Sequence, residues 1–271
     1  SANWEIDLWG RIRRQTEAAN AQLLASEEGR NAVILSLLGS VAGAYINLRD
    51  LDRQLEIARA TAKSRGESYD LFKLRFEGGL ISLLELSQNK SQYEEALATI
   101  PPLEKAIAQQ ENGLSVLLGR NPGPIARGKD IDQLLLPAIP AGLPSDLLER
   151  RPDLRRAEQD LIAANALIGA AKAMYFPTIS LTGLFGYASP SLSSLFDGPS
   201  KVWQYAAPIT MPIFTAGAIA GQVQAAEAVQ QQALFRYQKA IQEAFREVDD
   251  SLVSQDRTRA QLLAQGRQVE A

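Results

Sequence analysis

From Ile34 to Phe76 the apolar residues recur in steps of three and four: Ile34, Leu37, Val41, Ala44, Leu48, Leu51, Leu55, Ala58, Ala62, Tyr69, Phe72 and Phe76. Only Arg65 breaks the series. A period of 3.5 residues describes a helical seam that supercoils left-handedly against partner helices. No proline precedes Pro101, so one helix can run from about Arg11 to Glu77, roughly 100 Å at 1.5 Å per residue. Such a helix cannot bury its seam alone. Gly78-Gly79 then breaks the pattern, and Ser82 with Glu85 three residues on reads as a capping box. A second helix is expected from about Leu83 to Leu118, with its own ladder at Leu86, Tyr93, Ile100, Ile107 and Leu114. Pro101-Pro102 should kink or break it. The two helices read as an antiparallel hairpin whose tip is Gly78-Gly79. A proline- and glycine-rich connection follows from Gly119 to Pro144. A further helix starts at Ser145 or Pro152 and ends before Pro177, and a last one runs from about Ala216 onward.

Three stretches alternate instead. Trp4, Ile6 and Leu8 oppose Asn3, Glu5 and Asp7; Ile179, Leu181, Phe185 and Tyr187 oppose Thr178, Ser180, Thr182 and Gly186, with Leu184 as the exception. Trp203, Tyr205, Ala207, Ile209, Met211 and Ile213 oppose Val202, Gln204, Ala206, Pro208, Thr210 and Pro212. Period two predicts strands, and Pro208 and Pro212 weaken the last of them. Strands of this length joined by the polar loop from Ser189 to Ser200 fit a membrane-barrel hairpin. They fit a half-buried strand pair in a soluble sheet as well. If the apolar faces meet lipid, Glu5, Asp7, Thr178, Ser180 and Thr182 line a lumen; otherwise these residues form a solvated strand face.

The long helices repeat. Shifted by 200 residues, Leu23, Ala25, Glu27, Ile34, Val41, Ala44 and Leu48 fall on Val223, Ala225, Glu227, Leu234, Ile241, Ala244 and Val248. Each helix follows an alternating strand, so the chain holds a duplicated strand-to-long-helix unit. Both ends look clipped, with no signal peptide at the start.

Composition narrows the chemistry. Without His or Cys, Ser-His-Asp and Cys-His catalysis, the usual zinc ligands and disulfides are all ruled out. No catalytic residue, cofactor site or metal site is expected. A net charge of −3 with 22% charged residues offers no surface for nucleic acid. The stretch Gly123-Pro-Ile-Ala-Arg-Gly128-Lys129 imitates a phosphate loop, but Asp130 stands where a magnesium-binding Ser or Thr belongs. Asp249-Asp250 and Glu94-Glu95 read as solvated helix faces, and Tyr69, Phe72 and Tyr93 as core. No run of about 20 apolar residues predicts a transmembrane helix; transmembrane strands remain open.

At this point the residues resemble a family. Trp4-Glu-Ile-Asp-Leu-Trp-Gly-Arg11, the block Gly142-Leu-Pro-Ser-Asp-Leu-Leu-Glu-Arg-Arg-Pro-Asp153 continuing to Phe176-Pro-Thr-Ile-Ser-Leu-Thr182, and Pro212-Ile-Phe214 with Gly217 are similar to TolC-like outer-membrane efflux proteins. The likeness is to the lipoprotein channels of RND-type multidrug and metal efflux systems more than to protein-secretion channels. It implies a mainly α chain with a small β part: antiparallel coiled-coil helices of an α-barrel joined to antiparallel membrane strands, in two repeats, the barrel completed by a homotrimer. The implied division is an outer-membrane strand at 1–10, a periplasmic hairpin at 11–118 with its tip near 78–82, and a linker or equatorial segment at 119–151. A helix at 152–175, an outer-membrane hairpin at 176–214 and a periplasmic helix at 215–271 complete it. The implied partners are outer-membrane lipid, a periplasmic adaptor protein and, through it, an inner-membrane RND pump. The implied function is a passive exit duct for drugs, other small toxic compounds or metal ions. The tip residues Arg75, Gly78, Gly79, Leu80, Ser82, Leu83 and Leu84 resemble the adaptor contact; as residues alone they are a capped helix reversal. One strand, a lipid-anchor cysteine and a second tip with its gate have no counterpart in these residues. Readings from other classes are a soluble structural coiled coil and a type I secretion channel.

Overall fold

The computed structural model describes residues 1–134 and 149–270. Residues 135–144 of the expected connection from Gly119 to Pro144, the alternative helix start at Ser145 and the Gly142–Leu148 part of the motif block lie outside them. The chain forms two compact units, one of Ser1–Ala32 with Ala141–Ala271 and one of Val33–Pro140. Helix α1 (Arg11–Glu77) contributes to both. The architecture is mainly helical with a small antiparallel sheet.

In the first unit the sheet holds β1 (Ala2–Ile6), β2 (Thr178–Tyr187), β3 (Lys201–Ala206) and β4 (Ile209–Thr210). Strand β2 is central, with β1 antiparallel along one edge and β3 and β4 along the other. The predicted strand through Ile213 is thus cut in two. Pro208 has no N–H to give the ladder, although its carbonyl still accepts from Ser180 N at 3.1 Å. The first strand also stops short of Leu8, because Asp7 turns into a helix cap. Its carboxylate accepts the Ile12 and Arg13 amides at 3.0 and 2.8 Å, two of the donors that a helix start leaves without partners. Gly10 at φ +78 makes that corner, and Gly217 at φ +84 makes the matching corner before the last helix.

Two further helices complete this unit, and three of its ion pairs tie the elements together. These helices are α4 (Pro152–Ala173) and α5 (Ala218–Glu270). Ala18 and Ala21 of α1 form a buried cluster with Ala163 and Ala166 of α4. Alanines let the two backbones approach closely: a Cβ on Gly169 would meet the Arg14 side chain at 3.0 Å. Arg155 pairs with Glu28 at 2.8 Å and Lys172 with Glu227 at 3.0 Å, while Arg151 bridges Asp153 and Glu247. The guanidinium of Arg151 holds the Asp153 carboxyl below its ordinary range. Along α5 every residue from 249 to 270 is exposed.

The second unit is a helical hairpin. The predicted second helix is two, α2 (Leu83–Ala98) and α3 (Ile100–Leu117). Pro101 and Pro102 lack the amides that the carbonyls of Leu97 and Ala98 would use, so the ladder stops at Thr99, whose hydroxyl donates to Ala96 O at 2.7 Å. The seam packs as its period requires. Leu48 and Leu114 are buried, Tyr69 stacks on Tyr93 at 6.1 Å, and Gln110 of α3 donates to Ala44 O at 2.8 Å. A Cβ on Gly66 would lie 3.1 Å from the Tyr93 ring, so glycine lets that ring sit against the helix. Arg65, the one break in the seam, points out and donates to Gln92 at 2.8 Å. The expectation that no segment could span a membrane as a helix needs amendment, since α1 contains an eighteen-residue window apolar enough by composition. Around Val33–Ile46 only Ser36 and Ser40 interrupt an apolar surface that is largely uncovered, Leu35 and Leu38 being about 60% exposed. Such a surface calls for neighbouring helices.

Candidate functional site

The sheet separates two chemistries. Register pairs Glu5 with Ser180, Asn3 with Thr182 and Thr178 with Thr210; opposed residues in an antiparallel ladder share a face. Glu5, Thr178, Ser180 and Thr182 therefore come together on one polar face, joined by Asn3, Gln204 and Thr210. Asp7 does not join them, being spent on the α1 cap. Glu5 is not a free carboxylate either: Arg11 grips it with two hydrogen bonds of 3.1 and 2.6 Å. The pattern of alternation could not show this pair, because its partner lies past the Gly10 corner.

The opposite face carries Trp4, Ile6, Ile179, Leu181, Phe185, Tyr187, Trp203, Tyr205 and Ile209. Trp4, Phe185, Trp203 and Ile209 are about two-thirds exposed and Tyr205 is 78% exposed. Burying one such side chain is worth about 1.5–3 kcal/mol, so a ribbon of them left in water would be a standing liability. Among the described residues, the outer edges of β1 and of β3 also lack a strand partner, a condition that invites pairing with another chain. Trp9, which sequence reading left without a role, locks the strand-to-helix corner. Its ring stacks on Phe176 at 4.6 Å and its Nε1–H donates to Pro177 O at 2.7 Å.

In the hairpin unit the tip residues form one motif. Leu80 N donates to Arg75 O and Gly79 N to Phe76 O, both at 2.9 Å, with Gly79 at φ +72; this is the Schellman closure that needs glycine. Ser82 then caps α2 in a reciprocal capping box with Glu85, and its backbone N–H is the first cause that holds the Glu85 carboxyl below its usual range. Arg75 lies over the Phe72 ring at 5.9 Å. Leu74, Leu80, Leu83 and Leu84 are each more than 60% exposed around this rigid corner.

A second feature of this unit escaped sequence reading altogether. Arg127 binds both oxygens of Asp52 on α1, at 2.8 and 3.1 Å, and also Glu111 on α3. Arg49, buried to 7% exposure, donates to Lys129 O, Asp52 and Asp130 at 3.1, 2.7 and 2.6 Å. Asp52 thus raises the Arg127 affinity for its proton first, and Arg127 in turn holds Glu111 below the ordinary glutamate range. The segment imitating a phosphate loop is the strap that these pairs fasten. Its Gly128 N–H, which a phosphate would need, donates instead to the Tyr45 hydroxyl at 2.7 Å.

Known proteins are similar to this chain in sequence and in fold. A family model described as outer membrane efflux protein matches residues 1–120 and 143–271. The probable efflux pump outer membrane protein TtgC of Pseudomonas putida is 39% identical over 269 residues, covering 99% of this chain and 56% of its own. The cation efflux system protein CusC of Escherichia coli is 38% identical over 268 residues, covering 98% and 58%. A solved structure of CusC superposes with a TM-score of 0.89 at 37% identity, over 98% of this chain and 62% of that one. The chain therefore spans little more than half the length of the curated relatives it matches. A match over nearly all of its residues, together with the sheet and long-helix fold, shows that the chain belongs to the outer membrane efflux protein family.

Proposed function

We propose that this chain forms part of an outer-membrane exit duct, through which an efflux pump passes small toxic compounds outward without covalent chemistry. The observation that carries the reading is the two-sided sheet: an exposed aromatic face, a polar face holding Glu5, Ser180 and Thr182, and, among the described residues, open edges on both sides. In lipid an open edge leaves backbone groups without partners at a cost of several kcal/mol each. The sheet therefore closes with strands from further copies, and a homotrimer is the assembly we propose. The polar face then lines water. The bare flanks of α1 and α5 become contacts between helices of a periplasmic tube. A soluble coiled coil would have no use for the aromatic ribbon.

The hairpin tip is the proposed contact for a periplasmic adaptor protein, which couples the duct to an inner-membrane pump of the RND type. Its rigid corner and projecting leucines suit a partner hairpin that needs close approach and apolar area. The relatives named above act in efflux of cations or by efflux pumps, and a drug or metal-ion cargo is proposed by that likeness. The test is export: cells lacking the gene should accumulate a fluorescent pump substrate, and restoring it should lower accumulation. Restoration without any change in accumulation or drug tolerance would overturn the proposal.

A further inference from the structure

The loop between β2 and β3 carries a feature that a closed duct does not require. It is firmly built: Ala188 N donates to Ser200 O at 2.8 Å, the buried Ser200 hydroxyl donates to Ser194 O at 2.6 Å, and Ser189 bonds Ser194. Yet this loop holds Phe196 79% exposed. Phe196 is not pointed at random, for its ring meets Tyr187 edge-on at 5.6 Å, which sets it on the aromatic face of the sheet. Lys201, the register partner of Tyr187, stands on that face too, with its ammonium 5.3 Å from the centre of the Phe185 ring. Among the described residues Lys201 has no carboxylate within 4 Å; Asp197, the loop's one acid, does not pair with it.

We infer that Phe196, Tyr187, Phe185 and Lys201 bind one phosphate-bearing lipid at the outer rim of the duct. Lys201 meets the phosphate, and the three rings meet the upper acyl chain. The inference rests on the reading of the sheet as membrane-spanning. Two things select this occupant. The patch continues the face proposed to meet lipid, without a polar gap, and its single unpaired cation suits an anion on the same molecule as the hydrocarbon. The Lys201 ammonium rests on the face of the Phe185 ring, a cation–π contact that uses no N–H bond and so leaves its donors for a headgroup phosphate.

The experiment uses the full-length protein in detergent, with bound lipid counted by native mass spectrometry. Wild type, Lys201→Gln, Lys201→Arg and Phe196→Ser are titrated with phosphatidylglycerol. A parallel arm places the wild type in vesicles of lipids brominated along the acyl chain and follows tryptophan fluorescence. Quenching is expected, since Trp4 and Trp203 stand on the same face. Lys201→Gln and Phe196→Ser should each bind one lipid per subunit about tenfold more weakly, Lys201→Arg should bind as wild type, and inorganic phosphate should not compete. Equal lipid binding by all variants, with quenching intact, overturns the site and leaves the membrane reading standing. Competition by inorganic phosphate also overturns it, as a site for phosphate alone. An absence of quenching overturns the membrane reading and the site with it.

Discussion

Arg127→Met should loosen the strap across the helical hairpin without unfolding the hairpin itself. In the native protein the guanidinium makes two hydrogen bonds to Asp52, one to Glu111 and one to Ile125 O at 2.6 Å. Bonds between charged groups are each worth about 1.5–3 kcal/mol when made in full, while exposed ion pairs fall to about 0–1 kcal/mol. Arg127 sits between these limits, its side chain 29% exposed. Neither carboxylate is orphaned by the change: Asp52 keeps Arg49, and Glu111 keeps the Ile125 amide. The net loss is therefore about 2 kcal/mol rather than the larger cost of a stranded buried charge. Since about 1.4 kcal/mol is tenfold in an equilibrium, local opening should become roughly 30-fold more frequent. Native-state hydrogen exchange reads this at the Gly128 amide, held only by Tyr45, and at the Ile125 amide, held by Glu111. Amides in the middle of α1 should not change. Rates at Gly128 and Ile125 within about twofold of wild type would refute the assignment of these ion pairs as the fastening.

The same strap should respond to acid. Glu111 is held below its ordinary value, so its contribution is present above that value and lost as pH falls through the lowered one. Exchange at Ile125, corrected for the intrinsic rate, should rise only below about pH 4.3, and a rise beginning near neutrality would contradict it. Ala166→Leu forces extra carbon into a site with no exposure and should cost about 1–3 kcal/mol by overpacking. The temperature of helix loss by circular dichroism should fall by several degrees, and an unchanged melt would mean the Ala18, Ala21, Ala163 and Ala166 contact is not close-packed. At the tip, Leu80→Glu with Leu84→Glu should abolish crosslinking to the adaptor while helicity stays constant; undiminished crosslinking removes the tip from that role.

Periodicity made the long elements readable. The seam from Ile34 to Phe76, the Gly78-Gly79 reversal and the capping box of Ser82 and Glu85 are local rules, and the structure obeys them. Proline effects were half legible. Pro101-Pro102 announced a break, whereas the division of the last strand at Ala207–Pro208 depended on which ladder positions needed an amide. The polar face of the sheet was readable for Glu5, Thr178, Ser180 and Thr182 because alternation encodes it. Asp7 continues that alternation in sequence yet leaves it in space, since the helix start competes for its carboxylate. Contacts across long stretches of chain could not be seen. Nothing near Arg127 announces Asp52, 75 residues away, and nothing near Trp9 announces Pro177. The strap resembled a phosphate loop for the same reason: its glycines were visible and their partners were not.

In the proposed duct the sheet closes, with its sister copies, around water. Purified full-length protein should therefore be placed in a planar lipid bilayer and its single-channel current recorded under a salt gradient. A steady conductance is predicted, with a reversal potential that moves away from cation preference in Glu5→Gln, where Arg11 is left uncompensated. Folded protein that inserts yet carries no current would contradict the account at its root.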